Sequence, residues 1–212
     1  MIYYAKPIVK EVCSMSGKNN YRRWDTFTLT GIGVMAALVY VLTFFRFPLM
    51  DSKVHFANAM CLLAGLLLGP VPGGLAAGLG SALYDLLSGG YGPVDALITF
   101  VSKFIMAYVC ALIAGSGKNV EPKLQRVYVS GIVGALTYVA LYMAKSLFYA
   151  LFVNVIPAEA LGVKMISKLV PSLLNAVVAM VAAPVFYHAV WPAMRRILSV
   201  ERRQHKDAGR EV

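Results

Sequence analysis

Charge is what this chain has least of. Only 14% of its 212 residues are Asp, Glu, Lys or Arg, against about 25% in soluble domains. So few charges cannot cover a water-facing surface, which excludes an ordinary soluble fold. Acidic residues are the scarcer kind, ten against twenty Lys and Arg, for a formal net charge of +10. That balance could suggest nucleic acid, but the basic residues sit in the two tails and one loop rather than on a continuous face. A membrane orientation signal explains them more simply, and no nucleic-acid partner is expected. The three cysteines, Cys13, Cys61 and Cys110, have no paired spacing, which argues against a disulfide framework or a metal site and for buried free thiols. Catalytic signatures are missing too. Gly115-Ser-Gly-Lys118-Asn119 lacks the loop and the hydroxyl of a nucleotide-binding P-loop, and H-E-x-x-H and G-x-S-x-G do not occur. The chain cannot hydrolyse ATP by itself.

What is there is apolar: 59% of the residues are hydrophobic and the mean hydropathy is +0.68. The pattern predicts an all-α integral membrane protein with six transmembrane helices. Residues 1–25 read as a basic N-terminal tail, 26–194 as the membrane domain and 195–212 as a basic C-terminal tail. The first apolar run is too long for a signal peptide and no small-x-small cleavage site follows it, so the N-terminus is expected to be kept. Trp24 beside Arg22 and Arg23 reads as an interfacial anchor, and Asp25 can cap the helix that follows.

The first segment, Thr26 to about Pro48, is long enough to span, and its Gly33-x-x-x-Ala37 pair gives a smooth face for close helix approach, either within the chain or to a partner. Arg46 to Val54 reads as a polar connection. The second and third segments, His55–Gly69 and Gly73–Ser88, are joined by a rigid turn over Gly69–Gly74. Each covers only about 22–24 Å at helical rise, less than a hydrocarbon core of roughly 30 Å. The pairs Gly74/Gly78, Ala76/Gly80 and Gly78/Ala82 predict that the third is the tightly packed central helix. The fourth runs from about Val94 to Ala114 and the fifth from Arg126 to about Val153. The sixth, Val163 to about Trp191, is interrupted by Pro171 and Pro184. Six spans put both tails on one side together with the loop holding Lys118 and Lys123, and the excess of Lys and Arg makes that side cytoplasmic. The expected location is a bacterial-type plasma membrane, crossed several times.

Placed by depth, the polar residues gather in the outer half. Ser81, Tyr84, Asp85 and Ser88 share one helix face, and Asp95, Thr99, Ser102 and Lys103 another. Tyr138, Tyr142, Lys145 and Tyr149 form a stripe on the fifth segment, Lys164, Lys168, Ser172 and Asn175 descend along the sixth, and His55 and Asn58 open the second. Ionisable groups at such depth are costly unless they face a cavity or a partner. The candidate binding residues are therefore His55, Asn58, Tyr84, Asp85, Thr99, Lys103, Tyr142, Lys145, Tyr149, Lys168 and Asn175. Lys164 and Asp95 sit near helix ends, where headgroup water accounts for them, and Lys168 either snorkels or lines the pocket. Lys145 lies too deep to reach water fully, and Asp85 is a possible partner for Lys103. Lys103, Lys145 and Lys168 with Asp85 as the evident counter-charge predict a small ligand with an anionic or strongly hydrogen-bonding group.

Asn58 at the start of the second segment, LLAGLLLGPVPGGLAAGLGSALYDLLSG at 62–89 and ITFVSKFIMAYVCALIAG at 98–115 resemble the substrate-binding S components of energy-coupling-factor (ECF) vitamin transporters, the riboflavin-type family in particular. The resemblance implies a six-helix fold with an outer pocket for a small water-soluble vitamin or precursor. It also implies docking through Gly33 and Ala37 on a membrane T component with two cytoplasmic ATPases. ATP would be used by those partners, with no cofactor in this chain. The family's helix-one motif is usually Ala-x-x-x-Ala, from which Gly33-x-x-x-Ala37 departs slightly. The reading is a capture subunit, not an enzyme. Two alternatives stay open: an autonomous transporter or channel, which would need a polar path through the nearly bare inner half, and a membrane-embedded enzyme, which would need a nucleophile or metal set.

Overall fold

The computed structural model describes residues 26–50, 52–117 and 122–208; the tail over 1–25, with Trp24 and Asp25, lies outside the described residues, as do Asp51, Lys118 and 209–212. Among the described residues there are six α-helices: α1 (Thr26–Phe44), α2 (Ala57–Leu68), α3 (Pro70–Leu87), α4 (Pro93–Ala114), α5 (Leu124–Phe148) and α6 (Ala158–Ala208). A π-helical turn, Tyr149–Val153, extends α5. Four of these stretches are long and apolar enough to cross a membrane: α1, α4, α5 with its π turn, and α6 as far as Ile197. α2, with 12 residues, is about 18 Å long, short of a hydrocarbon core of roughly 30 Å.

The polar connection after α1 is an antiparallel hairpin, β1 (Arg46–Leu49) paired with β2 (Ser52–His55), with Arg46 opposite His55 and Leu49 opposite Ser52. Met50 in its turn has φ +52°, the left-handed conformation that two-residue hairpin loops require. The turn expected over Gly69–Gly74 shrinks to Gly69 alone. Its φ of +90° suits glycine, and Pro70 and Pro72 sit in the first turn of α3, where a missing N–H costs nothing. α6 also departs from expectation: it runs unbroken through Pro171, Pro184 and Pro192 to Ala208. In a bundle, neighbouring helices and local adjustment tolerate such prolines.

The central helix is α2, not α3. All twelve α2 residues are buried, as befits a helix that is apolar on every side but for Asn58 at its start. The small residues of α3 nevertheless do what their spacing predicts. A Cβ on Gly80 would strike the Ala36 carbonyl of α1, and one on Gly73 would lie 2.6 Å from Gly65 Cα. Gly65 in turn meets the Ala107 carbonyl of α4 so closely that no side chain fits. These contacts bring the backbones of α1 to α4 together, and Ala111, Ala114, Val127, Ala135, Ala179 and Ala183 continue the dry core away from the hairpin.

Candidate functional site

Alternating helix directions bring the end of α1, the starts of α2, α4 and α6, and the ends of α3 and α5 to the hairpin end of the bundle. There they enclose a cavity of about 420 Å³. Ten of the eleven expected binding residues line it: His55, Tyr84, Asp85, Thr99, Lys103, Tyr142, Lys145, Tyr149, Lys168 and Asn175. The eleventh, Asn58, is buried behind the wall, where its Oδ1 accepts a hydrogen bond from Lys103 Nζ.

Lys103 stands ten residues into α4 and is 2% exposed. Its ammonium lies 3.6 Å from the centroid of the Tyr138 ring. Asp85, the partner expected for it, forms no ion pair with it among the described residues. Lys145 does have one: its Nζ is 2.7 Å from Asp95 Oδ1, and Tyr149 donates to the same oxygen at 3.2 Å. Asp95 therefore belongs to the cavity, not to headgroup water alone, because the first turn of α4 lies directly beside the last turn of α5.

The hairpin forms the roof, contributing Arg46, Ser52 and Lys53 to the lining. Asn175 clamps it, accepting from the His55 backbone N–H at 2.8 Å and donating to the Lys53 carbonyl at 2.7 Å. The Asn175 amide is thus engaged by backbone, and its role is to hold the roof. Ser52 and Tyr142 hydroxyls lie 3.1 Å apart, Arg46 stands over the Tyr84 ring at 5.0 Å, and Lys53 donates to the Tyr91 hydroxyl at 3.3 Å. The roof residues escaped sequence reasoning because Arg46–Val54 has no Asn-Gly or similar turn signal. His55 is pushed down to about 3, chiefly by burial and then by Lys103 and Arg46. It is neutral at physiological pH, and its Nδ1 has no hydrogen-bond partner among the described residues.

The cavity wall carries five cationic side chains, Arg46, Lys53, Lys103, Lys145 and Lys168, against two carboxylates, Asp85 and Asp95. Lys164 lies elsewhere, in a shallow groove between Met50 and the start of α6. Gly33 and Ala37 sit together on the exposed face of α1. Among the described residues no group of three or more His, Cys, Asp or Glu side chains could hold a metal ion.

A family model described as "ECF-type riboflavin transporter, S component" matches residues 23–191. A Pyrococcus woesei protein described as "Uncharacterized protein in gap 3'region" is 34% identical over 93 residues. That match covers 44% of this chain and 61% of the relative, less than two thirds of its length. Two solved structures share the fold, each at 20% identity. "Structure and mechanism of the S component of a bacterial ECF transporter" superposes with a TM-score of 0.61 over 79% of this chain and 96% of that one. "Crystal structure of FolT bound with folic acid" gives 0.57 over 78% and 95%.

Proposed function

The chain belongs to the ECF-type riboflavin transporter S-component family, and on that premise we propose that it is the substrate-capture subunit of an ECF-type importer. It takes a small water-soluble vitamin or vitamin precursor into the hairpin-end cavity and delivers it together with a T component and two ATPases. The family is one of transporter components, not of enzymes. The cavity is the observation that carries the reading. Its volume of about 420 Å³ falls in the range of small-molecule sites, its roof is held by named hydrogen bonds, and the opposite end of the bundle is close-packed.

In this arrangement all six helices are embedded in the plasma membrane, with α2 and α3 shielded by their neighbours. The hairpin faces outward and both termini lie in the cytoplasm. ATP is consumed by the partners. Docking uses the face of α1 carrying Gly33 and Ala37. That face is exposed, and a Cβ on Gly33 meets nothing within 4 Å among the described residues, so a larger residue there disturbs a partner and not the packing of the bundle.

The test is reconstitution. Gly33→Leu or Ala37→Leu should abolish ATP-driven uptake by the assembled importer while vitamin binding to the isolated chain persists. Robust accumulation by this chain alone in vesicles would sink the reading.

A further inference from the structure

Two lysines of the cavity differ in how their charge is met. Lys145 is bonded to Asp95 at 2.7 Å, with Tyr149 donating to the same carboxylate. Lys103 is the more deeply buried, at 2% exposed, yet no carboxylate among the described residues pairs with it. The groups it touches among the described residues are both neutral, the Asn58 carbonyl oxygen and the face of the Tyr138 ring; Asp85, on the same wall, acts on it only at longer range and also on Lys145. An ammonium has three donors, so two are occupied and one remains for the cavity that Lys103 lines. The side chain cannot escape by snorkelling. Ten residues of α4 separate it from the helix start, about 15 Å at helical rise, well beyond the reach of its stem.

A buried cation bonded only to neutral groups, with one distant carboxylate shared between two lysines, is costly unless a further opposite charge arrives. The neutral His55 beside it adds no second cation and no anion. Resting on the capture reading above, we propose that the captured molecule presents an anionic group, a carboxylate or phosphate, to Lys103 at the cavity floor, and that Lys103 selects the ligand's charge. Asn58 and Tyr138 are its positioning residues, aiming the third donor into the cavity. Lys145, already neutralised by Asp95, stands aside from this selection.

The experiment is a thermal-shift and titration panel on the purified full-length chain, using vitamins of different charge. Riboflavin and pyridoxine are the neutral probes, thiamine the cationic one, and nicotinate, pantothenate and folate the anionic ones. An anionic probe should stabilise the protein most. Lys103→Gln keeps a donor for Asn58 and removes the charge. It should weaken that probe by about 10- to 150-fold, the worth of one charge-assisted hydrogen bond, while Lys164→Met, outside the cavity, leaves it unchanged. Best stabilisation by riboflavin, pyridoxine or thiamine, or an anion affinity indifferent to Lys103→Gln, overturns the proposal. The wild-type ranking decides even where Lys103→Gln does not fold. Stabilisation by none of the six would bring down the capture reading itself, and this proposal with it.

Discussion

The two ends of the bundle put the same helices to opposite uses. Toward the hairpin, α3, α4, α5 and α6 turn Asp85, Lys103, Lys145 and Lys168 into a shared cavity. Away from it, Gly73 of α3 and Ala107 of α4 close on Gly65 of α2 with backbones so near that no Cβ fits, and Ala135 of α5 and Ala183 of α6 are buried. The dry end holds the helices rigidly enough for the wet end to stay open and to keep costly charges in fixed places. Damage at the first end should therefore cost folding, and damage at the second should cost binding.

The largest expected effect lies at the dry end. Gly65→Val places a side chain against the Ala107 carbonyl, where even a Cβ does not fit. Overpacking typically costs about 1–3 kcal/mol and more where backbone must move. Loss of monodisperse protein in detergent is the expected outcome, followed by size-exclusion chromatography and thermal unfolding; a wild-type melting curve would break the comparison.

Next comes the roof. Asn175→Ala leaves the His55 N–H and the Lys53 carbonyl without their partner, and each unsatisfied group costs about 1–3 kcal/mol. The bundle should still fold, but a bound vitamin should dissociate faster, with the association rate little changed. Stopped-flow measurement of both rates checks this, and an unaltered off-rate would mean that the hairpin is held without Asn175.

How far these assignments were legible follows from how local each signal is. The polar faces could be read because residues three and four apart share a helix face, and ten expected residues do reach one cavity. Partners could not be read. Lys103 meets Asn58 across 45 positions and Asn175 grips the hairpin across 120, pairings that periodicity does not encode. Met50, a non-glycine residue at φ +52°, hid the hairpin, and the prolines of α6 suggested breaks that its neighbours make unnecessary. The small residues of α3 correctly marked close contact. Which helix lies innermost depended on α2 having no polar residue after Asn58.

A smaller effect concerns acid. His55 is lowered from 6.5 to about 3 in the fold, first by burial. The unfolded chain thus takes up a proton at His55 that the folded one refuses. Stability from this group is fully present above pH 6.5 and is lost as pH falls toward 3, by at most about 1.4 kcal/mol per pH unit. His55→Gln should flatten the melting temperature between pH 6.5 and 5 relative to wild type. Parallel pH profiles would show that His55 does not carry the difference.

The smallest effect is expected at Lys145. Its partner Asp95 is 29% exposed and Lys145 itself 25%, so their pair is partly screened and is worth about 0.2–1 kcal/mol, as exposed pairs usually are. Lys145→Met should weaken vitamin binding less than about five-fold on that scale, yet more than Lys164→Met does. Equal titrations for the two variants would confine Lys145 to a structural ion pair.

Capture at the hairpin end is tested most directly by native mass spectrometry of the purified chain with its best-stabilising vitamin, beside Thr99→Trp. Thr99 lines the cavity, where its hydroxyl bonds to the Asp85 carboxyl, so an indole there fills the space and gives up that one bond. Wild type should carry one vitamin per chain and Thr99→Trp none, with the empty variant still folded and melting cooperatively. Full occupancy in Thr99→Trp would contradict capture at this cavity.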